Sequence, residues 1–270
     1  MKIVLLTNNS SNQAALAVKI AERFQLAGIV IEERKASNKK RLIKEYISAA
    51  LDRTLFSNLR SAWFDMLKYY QQKYAFPQVA TIKVNSVNTD ATIDFLNSIH
   101  PDLIMVSGTG MVKKKILEMN FSCGIINLHT GLSPYIKGGP NCTNWCIATN
   151  QFHLIGSTVM WIDAGIDSGD IIATETTQVT GEESLAELHI KVIEQAHQLY
   201  INCVSKLEKD CSKIKGVKQT AITEGRTFYT REWSIANKWK AVRNFRNFKS
   251  SVQSSSYKDL QNNLFLVRSD

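Results

Sequence analysis

Residues 2–31 constrain the fold more than any other stretch of this chain. Ile3-Val4-Leu5-Leu6 is an unbroken apolar run that ends in the polar turn Thr7-Asn8-Asn9-Ser10. A run of this length, closed by turn residues, reads as a strand buried on both faces. Across 12–26, Ala15, Leu16, Val18, Ile20, Ala21 and Phe24 recur at roughly helical spacing, and Gly28-Ile29-Val30-Ile31 opens a second short strand. A strand-helix-strand unit implies a parallel sheet, because parallel neighbours need a crossover between them.

The same alternation continues downstream. Residues 80–85 read as a strand, 90–98 as a helix and 102–107 as a buried strand ending in the turn Gly108-Thr109-Gly110. Residues 111–118 form a short helix and 124–129 a further strand. Residues 154–162 and 170–178 read as a strand pair joined by Asp163 to Gly169. Thr180 and Glu183 fit a capping box. It opens a helix whose Leu185, Leu188, Val192, Ala196, Leu199, Cys203 and Leu207 share one face. The expected fold is α/β: a doubly wound, mainly parallel sheet over residues 1–209, with a helical insertion at 38–75 and a small basic C-terminal appendage at 210–270. Two amphipathic helices fit the insertion, one carrying Leu42, Ile43, Tyr46, Ile47, Leu51 and Leu55, the other Trp63, Met66, Leu67 and Tyr70. Such a stripe more often packs on its own domain than on a membrane. In the appendage, 225–233 holds a short strand and 234–247 a basic helix, and the serines at 250–256 mark a linker or loose end. Trp233, Trp239 and Phe245 there need cover, which a second subunit could supply.

Net charge is +9, and residues 201–270 hold 14 Lys or Arg against 6 Asp or Glu, so +8 of it lies there. Such a field draws anions, whether phosphates, polyglutamylated cofactors or nucleic acid, although a solvated basic face explains it equally. The five cysteines form no dense framework and no C-x-x-C pair, which suits reduced thiols in a cytoplasmic protein. Cys142 and Cys146, with His129 and His153 near in sequence, match no usual zinc spacing, so two small side chains one helical turn apart is the better reading. No leader or membrane span is legible. His100, His153, His189 and His197 are expected in packing or surface roles.

Two segments carry chemistry. Gly124-Ile-Ile-Asn127-Leu-His129 ends a predicted strand, and period two puts the amide and the imidazole on one face. Together they can bind a developing oxyanion and move a proton. Asp163, Asp167 and Asp170 sit in a glycine-containing loop at spacing unlike a calcium loop. A carboxylate brought near His129 would favour the imidazolium and fix its orientation. Taken alone, Asn-x-His also describes a capping Asn beside a packed His.

Together, Asn127-Leu-His129, Leu132-Ser-Pro134, Gly138 and Asp167-Ser-Gly169-Asp-Ile-Ile resemble the folate-dependent formyltransferase family, with weaker similarity running from residue 1 to about 200. The resemblance implies N10-formyl-tetrahydrofolate as co-substrate, no metal, and Asn127, His129 and Asp167 as catalytic residues. It implies pterin binding by the backbone of two loops, here Gly108, Thr109, Gly110, Met111 and Val112, and Asp163, Ala164, Gly165 and Ile166. Ser11, Asn12, Tyr135 and Lys137 are the candidate acceptor contacts. Members that act on glycinamide ribonucleotide have a second His where Met160 stands and a glycine-rich loop where Asn8 to Gln13 stands. The tRNA-modifying members append a longer C-terminal barrel than the tail seen here. A hydrolase of the same family, usually carrying an N-terminal regulatory domain, fits less well with a first strand at Lys2. The insertion at 38–75 and the turn Gly131-Leu-Ser-Pro-Tyr135 resemble members associated with surface-sugar or secondary-metabolite synthesis, so the resemblance implies formyl transfer to a small phosphate- or nucleotide-bearing amine such as a nucleotide-linked amino sugar. Glycinamide ribonucleotide is the alternative acceptor, and nucleic-acid binding by the basic tail, with Trp233, Trp239, Phe245 and Phe248 as stacking platforms, is the alternative of another class.

Overall fold

The apolar runs pair as the alternation demands. The computed structural model describes residues 1–33, 50 and 52–268. Strands β1 (Lys2–Asn8), β2 (Gln25–Glu32), β3 (Thr81–Val84), β4 (Leu103–Ser107) and β5 (Gly124–His129) are parallel. Two more strands of this sheet, Gly156–Trp161 and Ile171–Thr176, add on antiparallel to β5 and to each other. A short β6 (Ile136–Gly138) intervenes in the chain, so these two are β7 and β8. The sheet order is β3-β2-β1-β4-β5-β7-β8. The sheet is doubly wound. Ile3, Leu5, Met105 and Ile126 pack on one face against α1 (Ser11–Ala21) and the long helix Leu185–Asp210. Val4, Leu6, Ile104 and Val106 pack on the other face with α3 (Asp90–Ile99) and α4 (Lys114–Leu117).

Of the predicted insertion, the second helix is α2 (Ser57–Gln71), with Met66 and Tyr70 fully buried. The first falls largely on residues 34–49 and 51, outside the described residues. Helix α5 (Cys142–Ala148) is capped by Asn141, whose side chain accepts from the Asn144 N–H at 2.9 Å. The long helix, α6, starts later than the predicted capping box. Its box is Ser184 with Glu187. Thr180 and Glu183 do bond to each other, but as a turn ahead of the helix. Both Ser/Thr-x-x-Glu spacings are present, and the sequence pattern alone does not rank them.

The C-terminal residues form β9 (Arg226–Phe228), α7 (Ile235–Phe245), α8 (Phe248–Val252) and α9 (Ser255–Asn262). The serine-rich stretch is thus helical over most of its length. Ser254 caps α9 by accepting from the Tyr257 N–H at 3.2 Å, a use of serine that a composition reading takes for a linker. Phe228, Ala241, Phe248, Val252 and Tyr257 share one apolar cluster with Trp145, Phe152 and Leu188. Trp233 meets Trp145 edge-on at 4.8 Å, and Phe245 stacks on Phe248 at 5.1 Å. Their cover comes from this chain itself; Trp239 stays 52% exposed. No helix among the described residues is long and apolar enough to cross a membrane.

His189 and His197 are both buried in α6. Burial pushes His189 down to about 4, and burial with Lys19 beside it pushes His197 down to about 3, from an ordinary value of 6.5. Both are therefore neutral in the fold, while the unfolded chain takes up protons below pH 6.5. Stability is full above that value and falls by about 1.4 kcal/mol per histidine for each pH unit below it, until the folded values are reached. Thermal unfolding followed from pH 7.5 to 4.5 should show this decline, and His197→Gln should make it shallower.

Candidate active site

Period two on β5 does what the spacing predicts, and the neighbouring strands supply the cleft. The carboxyl ends of β1, β4 and β5 lie side by side, where ligands collect in open α/β sheets. Tyr200 of α6 fixes this end: its hydroxyl accepts from the Val106 N–H at 2.9 Å and donates to the Ile126 carbonyl at 2.8 Å. Above the strand ends lies a cavity of about 450 Å³ lined by Asn127, His129 and Asp167 among others.

The three meet at the Asp167 carboxylate. Asn127 Nδ2 donates to Asp167 Oδ1 at 3.5 Å, and His129 Nδ1 is 3.4 Å from Asp167 Oδ2. The Gly138 N–H donates to the same Oδ2 at 3.2 Å. These separations are long for direct bonds, as catalytic contacts often are without substrate. Asp167 stands at φ 48°, in the left-handed region that a short polar side chain tolerates best after glycine. Gly169 follows because the chain there passes the Trp161 carbonyl so closely that a Cβ would overlap it.

The other ring nitrogen of His129, Nε2, lies 3.4 Å from Cys142 Sγ, and that sulfur also lies 3.4 Å from the Gly138 carbonyl it donates to. Burial, then Cys146 and Asp167, holds the Cys142 thiol far above the usual range, so it stays neutral beside the imidazole. Gly131 packs directly against this pair. A Cβ there would overlap His129 Nε2 and come within 2.8 Å of Cys142 Sγ.

The predicted loop residues divide. Gly108, Thr109, Gly110, Met111 and Val112 line the cavity, as do Asp163, Gly165 and Ile166; Ala164 is exposed and does not. Several groups of the first loop are held from outside it. Asn8 Nδ2 donates to the Gly108 carbonyl, the buried Glu32 accepts from the Gly110 N–H, and Asn88 Nδ2 donates to the Met111 carbonyl. The acceptor candidates fare differently. Asn12 lines the cavity. The Ser11 hydroxyl is spent on the Leu67 carbonyl at 2.6 Å, and it is Ser10 that stands at the cap position of α1. The Tyr135 hydroxyl is tied to Phe265, accepting from its N–H at 2.9 Å. Lys137 sits in β6, outside the cavity lining. These positions look alike in sequence because each flanks the motif; only the packing of α2 and of the C-terminal segment decides which face the cleft.

Gln219 is the residue that sequence reasoning missed. It is 5% exposed, and its Nε2 donates to the Asp167 carbonyl at 2.7 Å and the Gly169 carbonyl at 2.9 Å. The parallel β6–β9 pair joins the same C-terminal region to Gly138. Nothing in the local pattern around Gln219 signals this, since the contact spans some fifty residues.

The fold and this constellation define a doubly wound α/β protein with an Asn-His-Asp centre at its strand ends. A family model described as formyl transferase matches residues 1–204, and the chain belongs to that family. Among curated relatives, methionyl-tRNA formyltransferase of Clostridium botulinum (strain Alaska E43 / Type E3) is 32% identical over 161 residues, 59% of this chain and 48% of that one. The enzyme of the same name from Clostridium tetani is 32% identical over 119 residues, 44% of this chain and 37% of its own. The chain thus spans less than half the length of these curated relatives. Among solved structures, a 4-N formyltransferase from Francisella tularensis superposes with a TM-score of 0.56 at 17% identity, over 90% of this chain and 87% of that one. Phosphoribosylglycinamide formyltransferase from Bacillus halodurans gives 0.53 at 16%, over 78% and 96%. At such identities these two show a shared fold.

Two substitutions test the geometry. Gly131→Ala should displace the imidazole and lower turnover about 100-fold, as a misplacement near 1 Å does, while circular dichroism stays native. Gln219→Ala should free the Asp167 loop, lowering kcat about tenfold or more and stability by about 1–3 kcal/mol, read from kinetics and a urea titration.

Proposed function

We propose that this chain transfers the formyl group of N10-formyl-tetrahydrofolate to the amine of a small molecule, such as a nucleotide-linked amino sugar or another specialised amine. The observation that carries the reading is the grouping of Asn127, His129 and Asp167 around one carboxylate in the cavity at the strand ends. The two loops suit a flat, hydrogen-bonding pterin. Met111 and Ile166 turn exposed apolar side chains to the cavity rim, and no hydrogen bond among the described residues engages the Val112 main chain.

In this reading the co-substrate supplies the formyl carbon. The acceptor amine attacks that carbon in its neutral form. Asn127 Nδ2 and the protonated His129 donate to the oxygen on which charge develops. Asp167 holds the imidazole in place and takes up the proton that the attacking nitrogen loses; the carbon–N10 bond then breaks, that proton passes to N10, and tetrahydrofolate leaves. Glycinamide ribonucleotide is the runner-up acceptor. Its phosphate would have to be met by main-chain amides at the start of α1, since no Lys or Arg among the described residues lines the cavity. Nucleic-acid binding, the reading of another class, is favoured by one observation: α7 leaves Trp239 52% exposed next to Lys240, while Lys238 is ion-paired with Asp52.

The test is an assay of tetrahydrofolate release from N10-formyl-tetrahydrofolate with amino-sugar nucleotides, glycinamide ribonucleotide and ornithine derivatives. Turnover with one amine is expected. Asn127→Ala should cost about 100-fold or more, and His129→Ala and Asp167→Asn should abolish measurable rates. Absence of turnover with every amine, together with absence of tetrahydrofolate binding by calorimetry, would refute the reading. Steep loss of RNA binding between 50 and 200 mM salt would instead support the nucleic-acid alternative.

A further inference from the structure

The cavity has two ends on opposite faces of the sheet, and only one of them is accounted for by the two loops. Val112 and Ile162 pack with the α3–α4 face. The other end is built on the α1–α6 face from Asn12 of α1, Trp63 of α2 and Ile193 of α6. The strand-end residues Asn127 and His129 line the same cavity. A reaction between two bound molecules needs two such ends. If the first loop pair takes the co-substrate, the second end takes the amine.

We propose that Trp63 is the wall of the acceptor site, and that it selects amines carried on a ring with an uncharged face, such as an amino-hexose. The inference rests on the formyl-transfer reading above. On α2, Met66 and Tyr70 are sealed into the core, whereas Trp63 on the neighbouring turn is left 38% exposed and lines the cavity. Its indole is not loose. The buried His189 ring meets it edge-on, with centroids 5.7 Å apart and planes at 82°. Ile193 lies one turn further along α6 from His189 and completes an apolar corner. A fixed, half-exposed indole is a stacking surface: it offers area to a ring without ordering cost.

One polar group completes the end. Asn12 is 4% exposed, its Oδ1 has no partner, and its side chain makes no hydrogen bond within the described protein. The amide is therefore available to a ring hydroxyl, which can donate or accept. An indole face and one amide suit a polyhydroxylated ring bearing the amine. They offer little to a flexible, open-chain diamine.

The experiment compares the wild type with Trp63→Ala and Trp63→Phe. Formyl transfer is measured with a nucleotide-linked amino-hexose and with L-ornithine, and tetrahydrofolate affinity by calorimetry. Trp63→Ala should raise KM for the amino-hexose about tenfold with kcat changed less than twofold, and leave tetrahydrofolate affinity unchanged. Trp63→Phe should recover most of the loss, and ornithine should remain a poor acceptor throughout. Calorimetric binding of the amino-hexose nucleotide alone, weakened in Trp63→Ala, would support the site independently of any turnover. An unchanged amino-hexose KM, or tetrahydrofolate affinity falling in parallel, would overturn it in an enzyme that still transfers formyl. A wild type that neither binds tetrahydrofolate nor turns over any amine refutes the parent reading instead, and the acceptor assignment with it.

Discussion

The carboxylate of Asp167 is where the molecule's separate parts meet. Asn127 and His129 reach it from the end of β5, Gly138 from the end of β6, and Gln219 holds its main chain from the C-terminal region. A loop residue in the left-handed region carries a conformational cost of about 1–2 kcal/mol, which persists only where the surroundings over-determine it. Here they do. The carbonyl is bonded at 2.7 Å, the side chain faces three donors or potential donors, and Gly169 lets the chain press against Trp161. The chemistry expected of this centre depends on that loop more than on any single bond within it.

The sheet explains why the centre can form at this place. Five parallel strands align their carboxyl ends, and the crossover helices lie on both faces, leaving the strand ends open. The step to antiparallel at β7 brings the 162–170 loop back over β5. A fully parallel continuation would have placed the corresponding loop beyond a further helix. Glu32, at the end of β2, accepts from the N–H groups of Gly110 and Val87 and so ties the neighbouring loop to the sheet.

Much of this was legible in the residues. Unbroken apolar runs gave most of the buried strands to within one or two positions, because polar turn residues close each run; the exception is β2, which starts at Gln25 while the predicted helix over 12–26 stops at Ala21. Asn127-Leu-His129 put two polar side chains on one face because side chains alternate along a strand. Legibility failed where a role is set by contacts remote in sequence. Ser11 and Tyr135 read as site residues by proximity to motifs, yet α2 and the segment around Phe265 claim their hydroxyls. Gln219 read as nothing in particular. The serines at 250–256 read as a linker because the low helix propensity of serine is visible in sequence, while the tertiary cover from Phe152 and Leu188 is not.

The parallel pairing of β6 with β9 and the reach of Gln219 have a consequence for how the molecule opens. Local unfolding proceeds in cooperative units, and the boundary of a unit follows buried contacts instead of composition. The C-terminal helices contribute to the same apolar cluster as α5 and the start of α6, and the strand that leads into them, β9, pairs with β6, which ends at Gly138. Release of this segment from the body would expose the Trp145 stack and withdraw the hydrogen bonds to Asp167 in one event. Amide protons of the 163–170 loop and of α7 should therefore share one opening free energy. The loop's order is then a direct report on whether the far end of the chain is docked.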